Sequence, residues 1–236
     1  MTALVALAVG VAAQYGLDPG LFCRLIERES DWNPRAFTAS SVGLAQINQK
    51  AWGWWPADPF EPYANLEKGA LILRWNLAYR FEMGAEQVPL AVASYTLGHG
   101  AVNQLLALHG DDWRDGLSEP VRAYVEAIVE RTNYTLETLE SAEWTLLQPL
   151  DLWSYERGNC WIVGDYGPFQ LFAEGATFEA ARDEFCRVLI EAAESAAHIG
   201  EKYGDYLGRV NKSDSASVHF GQPSVTDRTQ EEESHV

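Results

Sequence analysis

The sequence predicts a mainly α-helical domain over residues 1–134, a small α+β C-terminal extension with a β-hairpin over 135–211, and an acidic polar tail over 212–236. Three observations carry this prediction. Through the first part, apolar residues recur at helical spacing, with turn-forming residues between the repeats. After Tyr134, two short β-rich runs flank the turn-forming segment Gly164-Asp165-Tyr166-Gly167-Pro168. From about Lys212 the chain is rich in Ser, Asp and Glu, ending near Glu231-Glu232-Glu233, a composition with too little apolar surface to fold alone.

In chain order, a first helix runs from Thr2 to near Gly16, whose glycine suits a left-handed cap. Asp18-Pro19 opens a second, Gly20 to about Ser30, which stops before Asn33-Pro34. After a Ser/Thr-rich loop (Phe37 to Val42), a short helix is expected from Gly43, then the irregular segment Trp52-Gly53-Trp54-Trp55-Pro56. Helices are expected at Asn65–Phe81, Val88–Tyr95 and Ala101–His109, and another from Ser118-Glu119-Pro120 to about Tyr134. In the extension, Thr135 to Leu147 reads as an amphipathic helix ended by Pro149. The hairpin strands are Cys160–Val163 and Phe169–Phe172. Thr177 caps a last helix, ending at Gly200, with Phe178, Ala181, Phe185, Leu189 and Ala192 on one face.

Composition narrows the function. With 17 Lys+Arg against 34 Asp+Glu, the formal net charge is −17, and no basic cluster occurs, which excludes binding to a phosphate backbone as a working assumption. Three scattered cysteines make no disulfide framework: Cys23 reads as a buried thiol, and Cys160 and Cys186 as unpaired core residues rather than a bridge. The apolar stretch Met1–Ala13 lacks a basic n-region, since the first cation is Arg24, and reads as a buried helix rather than a secretory leader. No window suits stable membrane insertion. His99, His109, His198, His219 and His235 show no metal-ligand spacing, no Gly-x-Ser-x-Gly elbow occurs, and no cofactor is expected.

One carboxylate stands out. On the second helix Leu21/Phe22 and Leu25/Ile26 repeat every four residues on one face, and Glu29 is the next position on it. Turned into a cleft, such a carboxyl would have a raised pKa and serve as a general acid; at a helix end it would escape to water, and the helix alone leaves these readings level. Glu27 cannot partner it, because residues two apart face nearly opposite sides, and nothing places Asp31, Asp58 or Glu61 across from it. A single essential carboxylate is the expectation. Trp52, Trp54 and Trp55 suit either stacking on sugar rings or packing a loop to the core.

The ordered motifs resemble a known family. Glu29-Ser30, Asn33-Pro34-Arg35-Ala36, Gly43-Leu44-Ala45-Gln46-Ile47, Ala93-Ser94-Tyr95-Thr96-Leu97-Gly98 and Arg122-Ala123-Tyr124-Val125 together resemble the soluble lytic transglycosylases, within the lysozyme-like superfamily that includes goose-type lysozymes. Asp58 to Ala70 resembles the helix that leads from the family's cleft. The resemblance implies a lysozyme-like helical domain that cleaves the β-1,4 bond between N-acetylmuramic acid and N-acetylglucosamine and forms a 1,6-anhydro ring. It implies Glu29 as the catalytic acid/base, with Ser30 supporting the site. Gln46, Tyr95, Thr96 and Tyr124 would contact substrate or line the cleft. The family's usual Met is Ala45 here, which would remove bulk from the cleft floor, and its usual Asn is Thr96, which keeps a hydroxyl but no amide.

The expected partner is therefore the peptidoglycan glycan strand. An acidic enzyme is repelled at long range by a polyanionic wall, which leads to the expectation of a bacteriophage virion component (tail or internal core), docked to phage structural proteins through 136–236 and acting in the host wall or periplasm. A hydrolytic, goose-type-like muramidase and a weakly active structural virion protein are the alternatives, as is a wall-binding role for the hairpin-helix unit.

Overall fold

The computed structural model describes residues 3–53, 57–79, 87–130, 133–137, 139, 141, 144–166, 169, 171–196 and 207–209. Helix α1 (Ala3–Gln14) is apolar nearly throughout, buries Val5, Ala8, Val9, Val11 and Ala12, and yields to a left-handed Gly16. Helix α2 (Pro19–Ser30) starts where the Asp18 carboxylate accepts from the Leu21 N–H at 3.0 Å with Pro19 in the first turn, and buries Leu21, Phe22, Leu25 and Ile26. Strands β1 (Ser41–Val42) and β2 (Ile47–Asn48) form a small antiparallel ribbon ahead of helix α3 (Gln49–Trp52). Helix α4 (Pro62–Ala78) is capped by Glu61, whose carboxylate accepts from Tyr63 N at 3.1 Å and Ala64 N at 2.6 Å. Helices α5 (Gln87–Leu97) and α6 (His99–His109), a 3-10 segment (Gly110–Gly116) and α7 (Glu119–Val129) complete the helical part.

The extension is built on an antiparallel sheet in the order β3-β5-β6-β7, with β3 at Asn133–Leu136, β5 at Leu150–Arg157, β6 at Cys160–Asp165 and β7 at Phe172–Gly175. A separate ribbon pairs β4 (Trp144–Leu146) with β8 (Leu207–Arg209), and helix α8 (Phe178–Ala196), capped by the Thr177 hydroxyl on Ala180 N at 3.2 Å, packs on β6 and β7. Side chains alternate across the sheet. Leu150, Leu152, Val163 and Ala173 face Phe185 and Leu189 of α8 in one core, whereas Trp153, Tyr155 and Ile162 enter the core formed by α1, α2, α4 and α5. The sheet thus lies between α8 and the helical part, and the helical core draws residues from both sides of residue 134.

The architecture is mainly α and lysozyme-like, with a C-terminal α+β extension, as expected. Several elements differ. The helix expected over Thr135–Leu147 is replaced by β3 and β4: Leu136 and Leu139 are buried at helical spacing, but the β-prone Tyr134-Thr135 pair with Leu152 and Asp151 on β5. For the same reason α7 ends at Val129 rather than near Tyr134. Strand β5 was not expected: Leu150-Asp151-Leu152 and Trp153-Ser154-Tyr155-Glu156 each alternate, but the phase changes between Leu152 and Trp153, where side chains on both faces are buried. The expected hairpin exists, but β6 is longer and the second strand begins at Phe172, because the Asp165 carboxylate holds Phe169 N at 3.0 Å and Leu171 N at 2.7 Å within the connection. The segment from Gly43 to Gln46 is a turn, not a helix. Helices α4 and α8 end at Ala78 and Ala196, and Trp54, Trp55, Pro56, Phe81, Gly167, Pro168, Gly200 and the 212–236 tail lie outside the described residues. None of Cys23, Cys160 and Cys186 is in a disulfide, and Cys23 is fully buried. No described helix is long and apolar enough to cross a membrane, and among the described residues none form a group able to hold a metal ion.

Candidate active site

Helix α2 delivers Glu29 to its C-terminal turn, where two successive left-handed residues, Asp31 (φ 49°) and Trp32 (φ 59°), swing the chain away. A bulky residue in that region costs about 1–3 kcal/mol. The strain is held by tertiary contacts: Trp32 is buried, its indole N–H donates to the Tyr155 hydroxyl at 2.9 Å, and the Arg157 guanidinium lies 5.7 Å from the indole centroid. Arg157 also pairs with Glu27 at 3.7 Å and Asp31 at 3.8 Å, so strand β5 braces the end of α2.

Glu29 is half-buried and accepts a short hydrogen bond from the Tyr124 hydroxyl of α7. Burial raises its carboxyl from 4.5 to about 7, against the Tyr124 bond, which lowers it. The carboxyl is therefore partly protonated near neutrality, the state a general acid needs. Burial and the neighbouring Glu29 charge push the Tyr124 phenol far above its ordinary range, so it stays a donor. Replacing Tyr124 by Phe removes the bond that favours the charged carboxylate, so the alkaline limb of the pH–activity profile moves upward by about 1–2 pH units. A profile recorded on purified glycan tests this, and an unmoved limb contradicts the assigned coupling.

The loop opposite is locked from below. Asn65, fully buried on α4, accepts from Ala45 N at 2.7 Å and donates to Val42 O at 3.1 Å and Pro59 O at 2.8 Å. Gly43 (φ 77°) passes so close that an added Cβ would stand 2.0 Å from the Asn65 amide nitrogen, so glycine is required there by space as well as by dihedral. Asn65→Leu strands three backbone groups and should cost about 3 kcal/mol in urea unfolding, far more than the equivalent change at an exposed asparagine.

Glu29, Ser30 and Gln46 line one cleft of about 920 Å³. Ser30 donates to Ile26 O at 3.2 Å, which ties its hydroxyl to its own helix. Both donor positions of the Gln46 amide are engaged, with Ala36 O at 3.2 Å and Gly43 O at 2.9 Å, so toward the cleft the side chain can act only as an acceptor. Tyr124 reaches the site through Glu29. Tyr95 sits behind it: its hydroxyl donates to Ala45 O at 2.9 Å, and burial together with the Glu29 charge keeps it protonated. Thr96 is exposed at the end of α5 and is not among the cleft-lining residues. Ala45, within the turn, is fully buried and is not among the cleft-lining residues.

Sequence reasoning missed much of the wall. Arg28, Phe37 and Thr38 line the cleft from the helical part, and Tyr155, Glu156 and Trp161 line it from the extension. Glu27, expected to face away from Glu29, and Asp31, which nothing in the sequence placed across from it, line the same cleft, and sequence reasoning missed Glu130 and Glu156 there. Glu27 is distinct from Glu29: burial raises its pKa, but the Tyr155 hydroxyl bond and Arg157 favour the charged form. No spacing rule brings residue 161 beside residue 29; only the sheet packing does.

Residues 7–114 match the family model of the transglycosylase SLT domain. That SLT region contains Glu29, Ser30, Gln46, Tyr95 and Thr96, and ends before Tyr124 and before the extension that closes the cleft. No curated protein matches the chain.

Proposed function

We propose that the chain is a peptidoglycan lytic transglycosylase that cleaves the bond between N-acetylmuramic acid and N-acetylglucosamine and leaves a 1,6-anhydro-muramic end. The observation that carries this reading is Glu29: a carboxyl with its pKa raised to about 7, set in a cleft within the SLT region and held by Tyr124. Protonated Glu29 gives its proton to the glycosidic oxygen as the C1–O bond breaks. The substrate's own N-acetyl oxygen bonds to C1 and carries the positive charge. The Glu29 carboxylate then takes the proton of the C6 hydroxyl, whose oxygen displaces the acetamido oxygen from C1 and closes the anhydro ring. The acid is restored and no water is consumed. Tyr124 holds the carboxylate oxygen throughout, and a substrate pinned in the cleft favours the intramolecular attack over that of water.

Hydrolysis is the second reading, favoured by Glu130 on the same cleft wall, since an additional carboxylate could activate water. Mass spectrometry of digested sacculi separates them: anhydro-muropeptides are expected, whereas reducing-end muramic acid as the main product overturns the lyase reading. A weakly active virion structural protein would release little of either.

We also propose that a phage particle carries the enzyme and releases it in the host wall or periplasm. The support is the net charge of −17, which gives no electrostatic attraction to a polyanionic wall and suits delivery by a larger body. Docking would run through 136–236, outside the β5 and β6 residues that already pack in the helical core. Truncation after Arg209 tests the tail part of that region: particle incorporation should fall while wall digestion stays intact, and incorporation at the parent's level contradicts a docking role for the tail.

A further inference from the structure

The β5–β6 hairpin lies outside residues 7–114, yet Ser154, Tyr155, Glu156 and Trp161 line the same cavity as Glu29. Glu156 and Trp161 are partners in the strand register, so their side chains leave the sheet on one face. Trp161 is half-buried, its ring set edge-on to Phe178 with centroids 5.8 Å apart and planes at 78°, while Glu156 is exposed. The same cavity is lined by Phe37, a large apolar side chain left 75% exposed. None of these three side chains has a part in the acid/base steps.

We propose that Trp161 and Glu156 form a glycan-binding subsite contributed by the extension. The indole packs on the C–H face of an acetamido-sugar ring, and the Glu156 carboxylate accepts from its hydroxyl or N–H groups. The inference rests on the lytic transglycosylase reading and adds where the strand is gripped. Ring chemistry favours this occupant: a pyranose has an apolar face for an aromatic ring and an edge of donors for a carboxylate. The wall is fixed relative to Glu29, because Arg24 of α2 donates to Ser154 O at 3.3 Å, Trp32 to the Tyr155 hydroxyl at 2.9 Å, and Arg157 pairs with Glu27 and Asp31. The hairpin is therefore fixed on α2, while Glu156 and Trp161 leave it on the face that carries Leu152 and Val163 towards α8, at the edge of the shared cavity.

The test compares the full-length parent with Trp161→Ala and Glu156→Gln on peptide-free glycan strands and on intact sacculi. Expected on peptide-free glycan are KM increases of about tenfold for Trp161→Ala and about threefold for Glu156→Gln, with kcat within about twofold of the parent. An unchanged KM in both variants, with the parent active, overturns the subsite and leaves the lyase reading standing. A KM increase confined to intact sacculi also overturns it, since the occupant is then the peptide stem. A parent that releases no glycan product overturns the reading and the subsite together. If Trp161→Ala does not fold, Glu156→Gln at its exposed position decides alone.

Discussion

Glu29→Gln lowers glycan cleavage by about 10³-fold and at the same time makes the protein more stable above pH 7. The loss of rate follows from general acid catalysis, which contributes roughly 10²–10⁴-fold and has no replacement in an amide side chain. The gain in stability follows from linkage. The folded carboxyl has a pKa of about 7 against 4.5 in the unfolded chain, so folding favours the protonated form. Its contribution is fully present below pH 4.5 and is lost as pH rises through 7, where a half-buried carboxylate must be kept charged. A neutral isostere escapes that loss, which at pH 8 amounts to roughly 2–3 kcal/mol. Urea unfolding of parent and variant at pH 4 and pH 8, paired with turnover of purified glycan, reads both effects. Equal stability differences at the two pH values would show that Glu29 is not desolvated as described.

The second large effect lies in the extension. Trp153→Ala on β5 destabilises the whole protein by about 3–5 kcal/mol. Trp153 is 1% exposed in the helical core, and its indole N–H donates to Asp165 O at 3.1 Å, so truncation opens a cavity and removes that hydrogen bond together. Ending the chain at residue 134 goes further, because it removes Trp153, Tyr155 and Ile162 from the core of α1, α2, α4 and α5. It also removes the Tyr155 and Arg157 braces on the left-handed Trp32. The expected product is a helical fragment without a cooperative thermal transition. A 1–134 fragment that unfolds cooperatively near the parent's Tm would show that the extension is a separate body.

How much of this was legible beforehand divides along physical lines. Helices α1, α2, α4, α5, α6 and α7 announced themselves through local signals: Asp18-Pro19 and Ser118-Glu119-Pro120 start helices by satisfying or dispensing with first-turn N–H groups, whereas α4, expected from Asn65, starts a turn earlier at Glu61-Pro62. Glu29 was legible as a polar residue on an apolar face, since that pattern depends only on the 3.6-residue repeat. Strand β5 was not legible, because its apolar/polar alternation changes phase between Leu152 and Trp153, so neither half is long enough to read as a strand alone. The Thr135–Leu147 segment misled for a related reason. Leu136 and Leu139 are buried at helical spacing in a strand and the turn after it.

The sequence by itself determined the order of the helices, the one carboxylate on the apolar face of α2, and the acidic balance of the chain, all of which are properties of neighbouring residues or of composition. The tertiary structure alone decided that Tyr124 meets Glu29, that Asn65 locks the turn at Gly43, and that the β5–β6 hairpin closes the cleft. Those contacts join residues about 20 to more than 100 positions apart. They exist because burying both faces of one sheet, between α8 and the helical core, brings the extension against α2. Short-range patterns carry no term for such a closure, so a 1–134 catalytic unit could be read from the motifs, whereas the wall that completes its cleft could not.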